Sequence, residues 1–277
     1  MAGPQVAGEG LAARNARPAI LVQGLGVRYN LTLTRRTTLK SALSGWGRRS
    51  GTASRHFWAL RGVDLVVQHG EVVGLIGPNG AGKTTLLLAL AGILEPSEGQ
   101  IVVDGRVSTL LTLGAGFDLD LTGRDNIRLA GAFLGIDRRT LEALTPAIID
   151  FADIGDFVDA PVKTYSLGMK ARLGFAIATA VTPDILLLDE VLGTGDQEFR
   201  AKSQVRIREL MTQARAIVVV THDLPYVQEF CNRAILLEQG RVVHDGAPDE
   251  TVAIYRERVN QKRLLAAAGR FEGGPPT

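Results

Sequence analysis

The sequence predicts an α/β fold in which a mostly parallel sheet is covered by helices on both faces, and three observations carry that prediction. Nearly all-apolar runs of strand length, Val72 to Ile76, Ile185 to Leu188 and Ile217 to Val220, alternate with helical stretches, as strands buried on both faces require. A glycine-rich turn, Gly77-Pro78-Asn79-Gly80-Ala81-Gly82-Lys83-Thr84-Thr85, joins the first of those runs to the apolar stretch Leu86 to Leu90. Between about 121 and 180 the pattern is wholly helical, which makes that block an insertion into the sheet.

Residues 1–18 are small, polar and punctuated by Pro and Gly, a tail composition. Ile20-Leu21-Val22 and Leu25 to Tyr29 form a first strand. The stretch of about 30–56 interrupts the pattern. Within it Leu39, Ala42, Leu43 and Trp46 fall on one helical face behind Thr37 and Thr38, and the other face is basic. A helix of that kind suits a membrane interface or a membrane protein; a surface insertion packed on its own domain is the alternative. Strand character resumes at Trp58-Ala59-Leu60 and Val63 to Val67. After the glycine-rich turn and its helix, Ile101-Val102-Val103 with Asp104-Gly105 reads as a hairpin. Thr122 with Asp125 is a capping box opening a helix at Asn126. Further helices are expected over 138–158 and 167–181, and strands at Ile185 to Leu188, Ile217 to Val220 and Ala234 to Leu237. Beyond 255 an extension ends in a Gly-Gly-Pro-Pro tail.

A chain of 277 residues with 45% hydrophobic and 22% charged residues is of ordinary globular composition. No apolar run approaches the roughly 18 residues of a membrane span, and the N-terminus lacks a secretory layout. The expectation is a chain that stays in the cytosol. The single cysteine, Cys231, excludes an internal disulfide and supplies no metal cluster, so a buried structural thiol is its expected role. The net charge of +2 conceals ten Arg or Lys against one acid, Glu9, in residues 1–61. That segment favours an anionic neighbour, whether membrane surface or nucleic acid.

The glycine-rich turn fits G-x-x-x-x-G-K-[ST] in the strand–turn–helix setting the pattern needs. Backbone N–H groups of Gly77, Pro78's neighbours Asn79 and Gly80, Ala81 and Gly82 would wrap a polyphosphate at the positive end of a helix dipole. Lys83 would reach the β- and γ-phosphates, Thr84 would take one position on Mg²⁺, and Thr85 would add a phosphate contact. Ile185 to Leu188 is a buried strand delivering Asp189 and Glu190. In a phosphate-loop enzyme Asp189 would hold Mg²⁺, while Glu190 would orient and deprotonate the attacking water. Val218 to Val220 similarly delivers His222, placed to sense the γ-phosphate by a hydrogen bond.

With these residues in hand, about 20–255 of the chain resembles the nucleotide-binding subunits of ABC transporters. The resemblance implies a P-loop NTPase of ABC ATPase type: a RecA-like core with a mostly parallel sheet, an antiparallel β subdomain, and a helical subdomain inserted at about 118–180. The nucleotide-binding domain would span 19–255. The family's signature, ordinarily L-S-G-G-Q, is matched by Tyr165-Ser166-Leu167-Gly168-Met169, which the opposite subunit would present to ATP. Ser166 would cap a helix whose N–H groups meet the γ-phosphate. The D-loop corresponds to Gly193-Thr194-Gly195-Asp196, with Asp196 matching and Gly195 departing from leucine. The Q-loop glutamine is missing; Leu111 to Phe117 fills its place, with Thr112 a weak substitute. For the adenine, Tyr29 stands where the family's aromatic usually does, and Phe57 or Trp58 could substitute.

L-G-A-G-F, L-T-G-R-D-N at 121–126, Y-S-L-G-M at 165–169, V-L-G-T-G-D at 191–196 and the basic insert together look like the branch that exports lipid-linked polysaccharides: O-antigen, capsule or teichoic acid. The resemblance implies ATP and Mg²⁺, a homodimer of ATPase subunits on the cytoplasmic face of the cell membrane, an integral-membrane permease dimer and a lipid-linked glycan as substrate. The C-terminal carbohydrate-binding domain that some members carry is not expected in a chain of this length. Export of another lipid or a drug is the alternative within transport. A soluble ABC-type ATPase acting on nucleic acid or the ribosome is disfavoured, since such proteins usually carry two cassettes.

Overall fold

The structure, a computed structural model, describes residues 17–30, 56–110, 116–189 and 196–271, with side chains of the last stretch as far as Leu264. The basic insert, Thr112, Glu190 and Gly193 to Gly195 therefore lie outside the described residues.

Two sheets face each other. Strands β1 (Ile20–Asn30), β2 (His56–Val67) and β4 (Glu98–Val103) form an antiparallel sheet in the order β2-β1-β4. The second sheet uses β3 (Val72–Ile76), β5 (Val107–Thr109), β6 (Ile185–Leu188), β7 (Ala216–Val220), β8 (Arg233–Glu238) and β9 (Arg241–Gly246). Its order is β5-β6-β7-β3-β8-β9, parallel throughout except for β9. The expected Asp104-Gly105 hairpin is not formed. β4 pairs with β1 and β5 with β6, so the two residues carry the chain from one sheet to the other. Gly105, at φ 131°, permits this because a Cβ there would lie 2.6 Å from that of Asp184.

Helix α1 (Lys83–Leu90) runs between the sheets. Its sequence, apolar on all sides, demands such a place: Leu86, Leu87 and Leu90 share one cluster with Ile20 and Leu60 of the first sheet and Leu75, Val218 and Leu237 of the second. Each fully buried leucine contributes roughly 1.5–3 kcal/mol. The far face of the parallel sheet is covered by α5 (Gln197–Gln213), α6 (Leu224–Phe230) and α7 (Pro248–Phe271).

The helical block consists of α2 (Gly123–Phe133), α3 (Arg138–Ala152), two 3₁₀ turns at Gly155–Asp159 and Val162–Thr164, and α4 (Leu167–Ala178). The Thr122 cap forms as expected, its Oγ1 accepting from the Asp125 N–H at 3.1 Å, but the helix opens at Gly123 rather than Asn126. The helix expected over 138–158 stops at Ala152 because Asp153 turns left-handed, at φ 49°, and ends it. Likewise α4 ends at Ala178, three residues early, where the Thr179 hydroxyl bonds back to Phe175 O and its carbonyl accepts from Arg206. At the other end of the chain, α7 runs through position 255 without a break, so the described part of the expected extension is helix.

Candidate functional site

Strands β6, β7 and β3 are neighbours, and their C-terminal ends deliver Asp189, His222 and the glycine-rich loop to one edge of the sheet. Ligands of open parallel sheets bind at that edge. There a cleft of about 440 Å³ is lined by Asn79 to Thr85, Asp189 and His222, with Tyr29 and Phe57 on its far wall.

The loop needs glycine at two points for different reasons. A Cβ on Gly77 would sit 2.1 Å from Leu237 O, and one on Gly82, at φ 104°, 2.6 Å from Ala59 O. The loop is thus pressed against β8 and β2, which hold it still. Gly82 caps α1 without any side-chain hydrogen bond. The first N–H groups of a helix have no intrahelical partner and point outward, toward an anion. Lys83 is 7% exposed, and its Nζ donates to Gly77 O at 2.7 Å and Pro78 O at 3.0 Å. Those two carbonyls aim the ammonium across the loop.

Thr84 Oγ1 lies 3.4 Å from Asp189 Oδ2. Two hard oxygens, one of them anionic, are the donor set Mg²⁺ uses when phosphates and waters complete its shell. Among the described residues no group of three or more His, Cys, Asp or Glu side chains is placed to hold a metal.

Of the three aromatic candidates, Tyr29 and Phe57 face each other across β1 and β2 and both line the cleft; they are 39% and 52% exposed. Trp58 does not line it. Its ring instead receives the guanidinium groups of Arg28 and Arg61, each 5.5 Å from the centroid.

Ser166, Leu167, Gly168 and Met169 stand apart from this cleft. Ser166 caps α4, its Oγ accepting from the Met169 N–H at 3.2 Å. Leu167 is 86% exposed, and a Cβ on Gly168 would touch only Ser166 Oγ, at 3.7 Å. The helix start is therefore open to the outside. Asp196 caps α5, accepting from the Phe199 N–H at 2.9 Å, and pairs with Arg172 of α4. Arg172 also reaches Asp153 at 3.1 Å and lies over the Phe199 ring. Its linking role was not visible in the sequence, because its partners come from two separate segments, Asp153 on one side and Asp196 with Phe199 on the other.

Residues 60–193 match the family model described as ABC transporter. The chain is 44% identical to the O-antigen export system ATP-binding protein RfbB of Myxococcus xanthus, over 84% of this chain and 54% of that protein. It is 40% identical to an RfbB of Klebsiella pneumoniae, over 73% of this chain and 82% of that one. The chain belongs to the ABC transporter family. The teichoic acids export ATP-binding protein TagH of Lactiplantibacillus plantarum is 42% identical, with 77% of this cassette and 59% of that protein aligned. The cassette thus spans little more than half of some relatives. Its fold is that of a solved ATP-binding cassette, a dimer in a post-hydrolysis state bound to ADP and phosphate. That match has a TM-score of 0.61 at 20% identity, over 83% of this chain and 98% of the other.

Proposed function

We propose that this chain is the ATP-hydrolysing subunit of a transporter that exports a lipid-linked polysaccharide across the cell membrane. The observation that carries the proposal is the meeting of the glycine-rich loop, Asp189 and His222 at the ends of three adjacent parallel strands. The names of its relatives, O-antigen and teichoic acid exporters, support the substrate class.

In this mechanism the loop N–H groups and Lys83 hold the triphosphate, and Tyr29 or Phe57 stacks on the adenine, a contact worth about 1–3 kcal/mol. Thr84 and Asp189 would hold Mg²⁺, which when bound neutralises charge between the β- and γ-phosphates. Glu190 orients and deprotonates the attacking water, and His222 hydrogen-bonds the γ-phosphate. Since Ser166 opens outward from another part of the same chain, it serves the nucleotide of a second copy. Two ATP molecules are thereby sandwiched in a head-to-tail homodimer that works on a permease dimer at the cytoplasmic face. ATP closes the pair and hydrolysis reopens it, a population shift set by the differential affinity of the two states.

Co-purifying the chain with its membrane partner and identifying the bound lipid by mass spectrometry tests the substrate. A polyprenyl- or lipid-linked glycan is expected; a different lipid or a drug would refute the polysaccharide reading. Salt-sensitive binding to RNA without any membrane partner would refute transport altogether.

A further inference from the structure

We propose that Tyr165 is a positioning residue for Ser166, seated against Gly123 so that the start of α4 is locked to the segment of chain entering the helical block. The inference rests on the proposed role of Ser166 in the ATP site.

Ser166 and Leu167 are exposed, so what fixes the helix start is the residue before them. Tyr165 is 6% exposed; its hydroxyl donates to Phe157 O at 2.6 Å and its ring meets that of Phe157 edge-on, at 6.5 Å. Burial pushes the phenol above its ordinary range, partly offset by a backbone hydrogen bond from Gly123, so it remains a donor at neutral pH. A Cβ on Gly123 would lie 2.2 Å from Tyr165 Oη and 3.0 Å from Val158 O. Gly123 has no left-handed φ, so glycine is needed there for space alone.

The contact extends in both directions. Val162 N–H donates to Leu121 O at 2.9 Å and Lys163 N–H to Leu119 O at 2.8 Å, while Thr122 and Pro161 form an antiparallel bridge. Asn126, fully buried, accepts from Asp118 N–H at 2.8 Å and donates to Asp118 O and Thr122 O, each at 2.9 Å. The two motifs L-T-G-R-D-N and Y-S-L-G-M are therefore halves of one structural unit. A displacement of the chain at 118–123 is transmitted to Ser166 through the buried phenol rather than through the exposed helix end.

The test uses the full chain with Tyr165→Phe, Gly123→Ala and the double variant, measuring ATP turnover, equilibrium affinity for a fluorescent ATP analogue at concentrations too low for dimers, and melting temperature. Tyr165→Phe keeps the ring in the core. It is expected to lower kcat roughly tenfold, since misplacing a reacting group by a fraction of an ångström costs that much, and to leave analogue affinity unchanged. Gly123→Ala should do at least as much harm alone. It should add less in the Tyr165→Phe background than it costs alone, because the hydroxyl it strikes at 2.2 Å is gone and only the approaches to Val158 O, at 3.0 Å, and to the ring carbon Cζ, at 3.3 Å, remain. Unchanged kcat in Tyr165→Phe overturns the inference, as does a loss of kcat and analogue affinity in step with the melting temperature. A wild-type chain without ATPase activity overturns the functional proposal, and this inference with it.

Discussion

Lys83 is a nearly buried cation whose ammonium is aimed by two backbone carbonyls, 2.7 and 3.0 Å away. Alanine there removes the only lysine of the loop and leaves the glycine geometry in place. Lys83→Ala should reduce ATP turnover by at least about 10³-fold, the scale of losing a phosphate-stabilising charge, with a melting temperature near that of wild type; full activity would refute the site. Asp196 offers a pH test. The Phe199 N–H first, and Arg172 after it, hold its carboxyl below the usual range. A lowered folded pKa means that the anion stabilises the fold above the unfolded value, near 3.9, and that this stability is lost as pH falls through the folded value. Asp196→Asn keeps a good helix cap and removes the charge. It should melt below wild type at pH 7, with the gap closing under about pH 4; a gap that persists in acid would show that the Arg172 pair contributes nothing. Cys231 is 8% exposed, and burial pushes its thiol up to about 11. Iodoacetamide at pH 8 should therefore label it only as fast as the protein unfolds, so labelling that is quick and independent of urea would contradict its burial.

Among the elements, the loop after β3 separates two uses of glycine. Gly80 has φ 77° and nothing within 4 Å of an added Cβ, so Gly80→Ala should cost only the left-handed strain, about 1–2 kcal/mol. Gly77→Ala and Gly82→Ala must also push against Leu237 O and Ala59 O. They should lose more stability in urea titrations and bind ATP poorly; equal midpoints for all three would disprove the distinction. Strands β3, β6, β7 and β8 of this loop's sheet were legible in the sequence because burial on both faces leaves little but apolar residues in them, whereas β5, three residues long and carrying Ser108 and Thr109, was not. β9 was not, since its exposed and half-buried edge carries Arg241, His244 and Asp245 with no alternation to follow. Asp104-Gly105 misled for a different reason. A turn dipeptide reports the local backbone, and here that backbone crosses between sheets instead of folding one strand back. The places of the glycine-rich loop, Asp189 and His222 were legible because each follows closely on an apolar strand. Tyr165 against Gly123 was not, because no spacing rule links a buried phenol to a distant glycine.

At the scale of the whole molecule, α4 belongs to two cores. Leu173, Ala176 and Ile177 pack within the helical block, while Phe175 stacks on Phe151 and both rings meet Phe199 edge-on, each pair of centroids 5.8 Å apart, against the sheet. Ser166 is therefore carried on a stiff beam anchored at its base, and its open end cannot fold back onto Lys83 without breaking that trio. If each nucleotide is gripped by the loop of one copy and the Ser166 helix of the other, a two-fold dimer contains two such composite sites. Lys83→Ala chains have intact signatures and broken loops; Ser166→Arg chains have the reverse. Neither alone should trap nucleotide when Glu190→Gln is added to prevent turnover. Mixed in equal amounts, half of the dimers are hybrids, each with one intact site and one doubly broken site, so trapping should return to about a quarter of the level given by Glu190→Gln alone. Recovery on mixing can arise only if the two halves come from different chains. Persistent failure of the mixture to retain labelled ATP on gel filtration would mean that Ser166 serves its own chain, and the head-to-tail assembly would have to be abandoned.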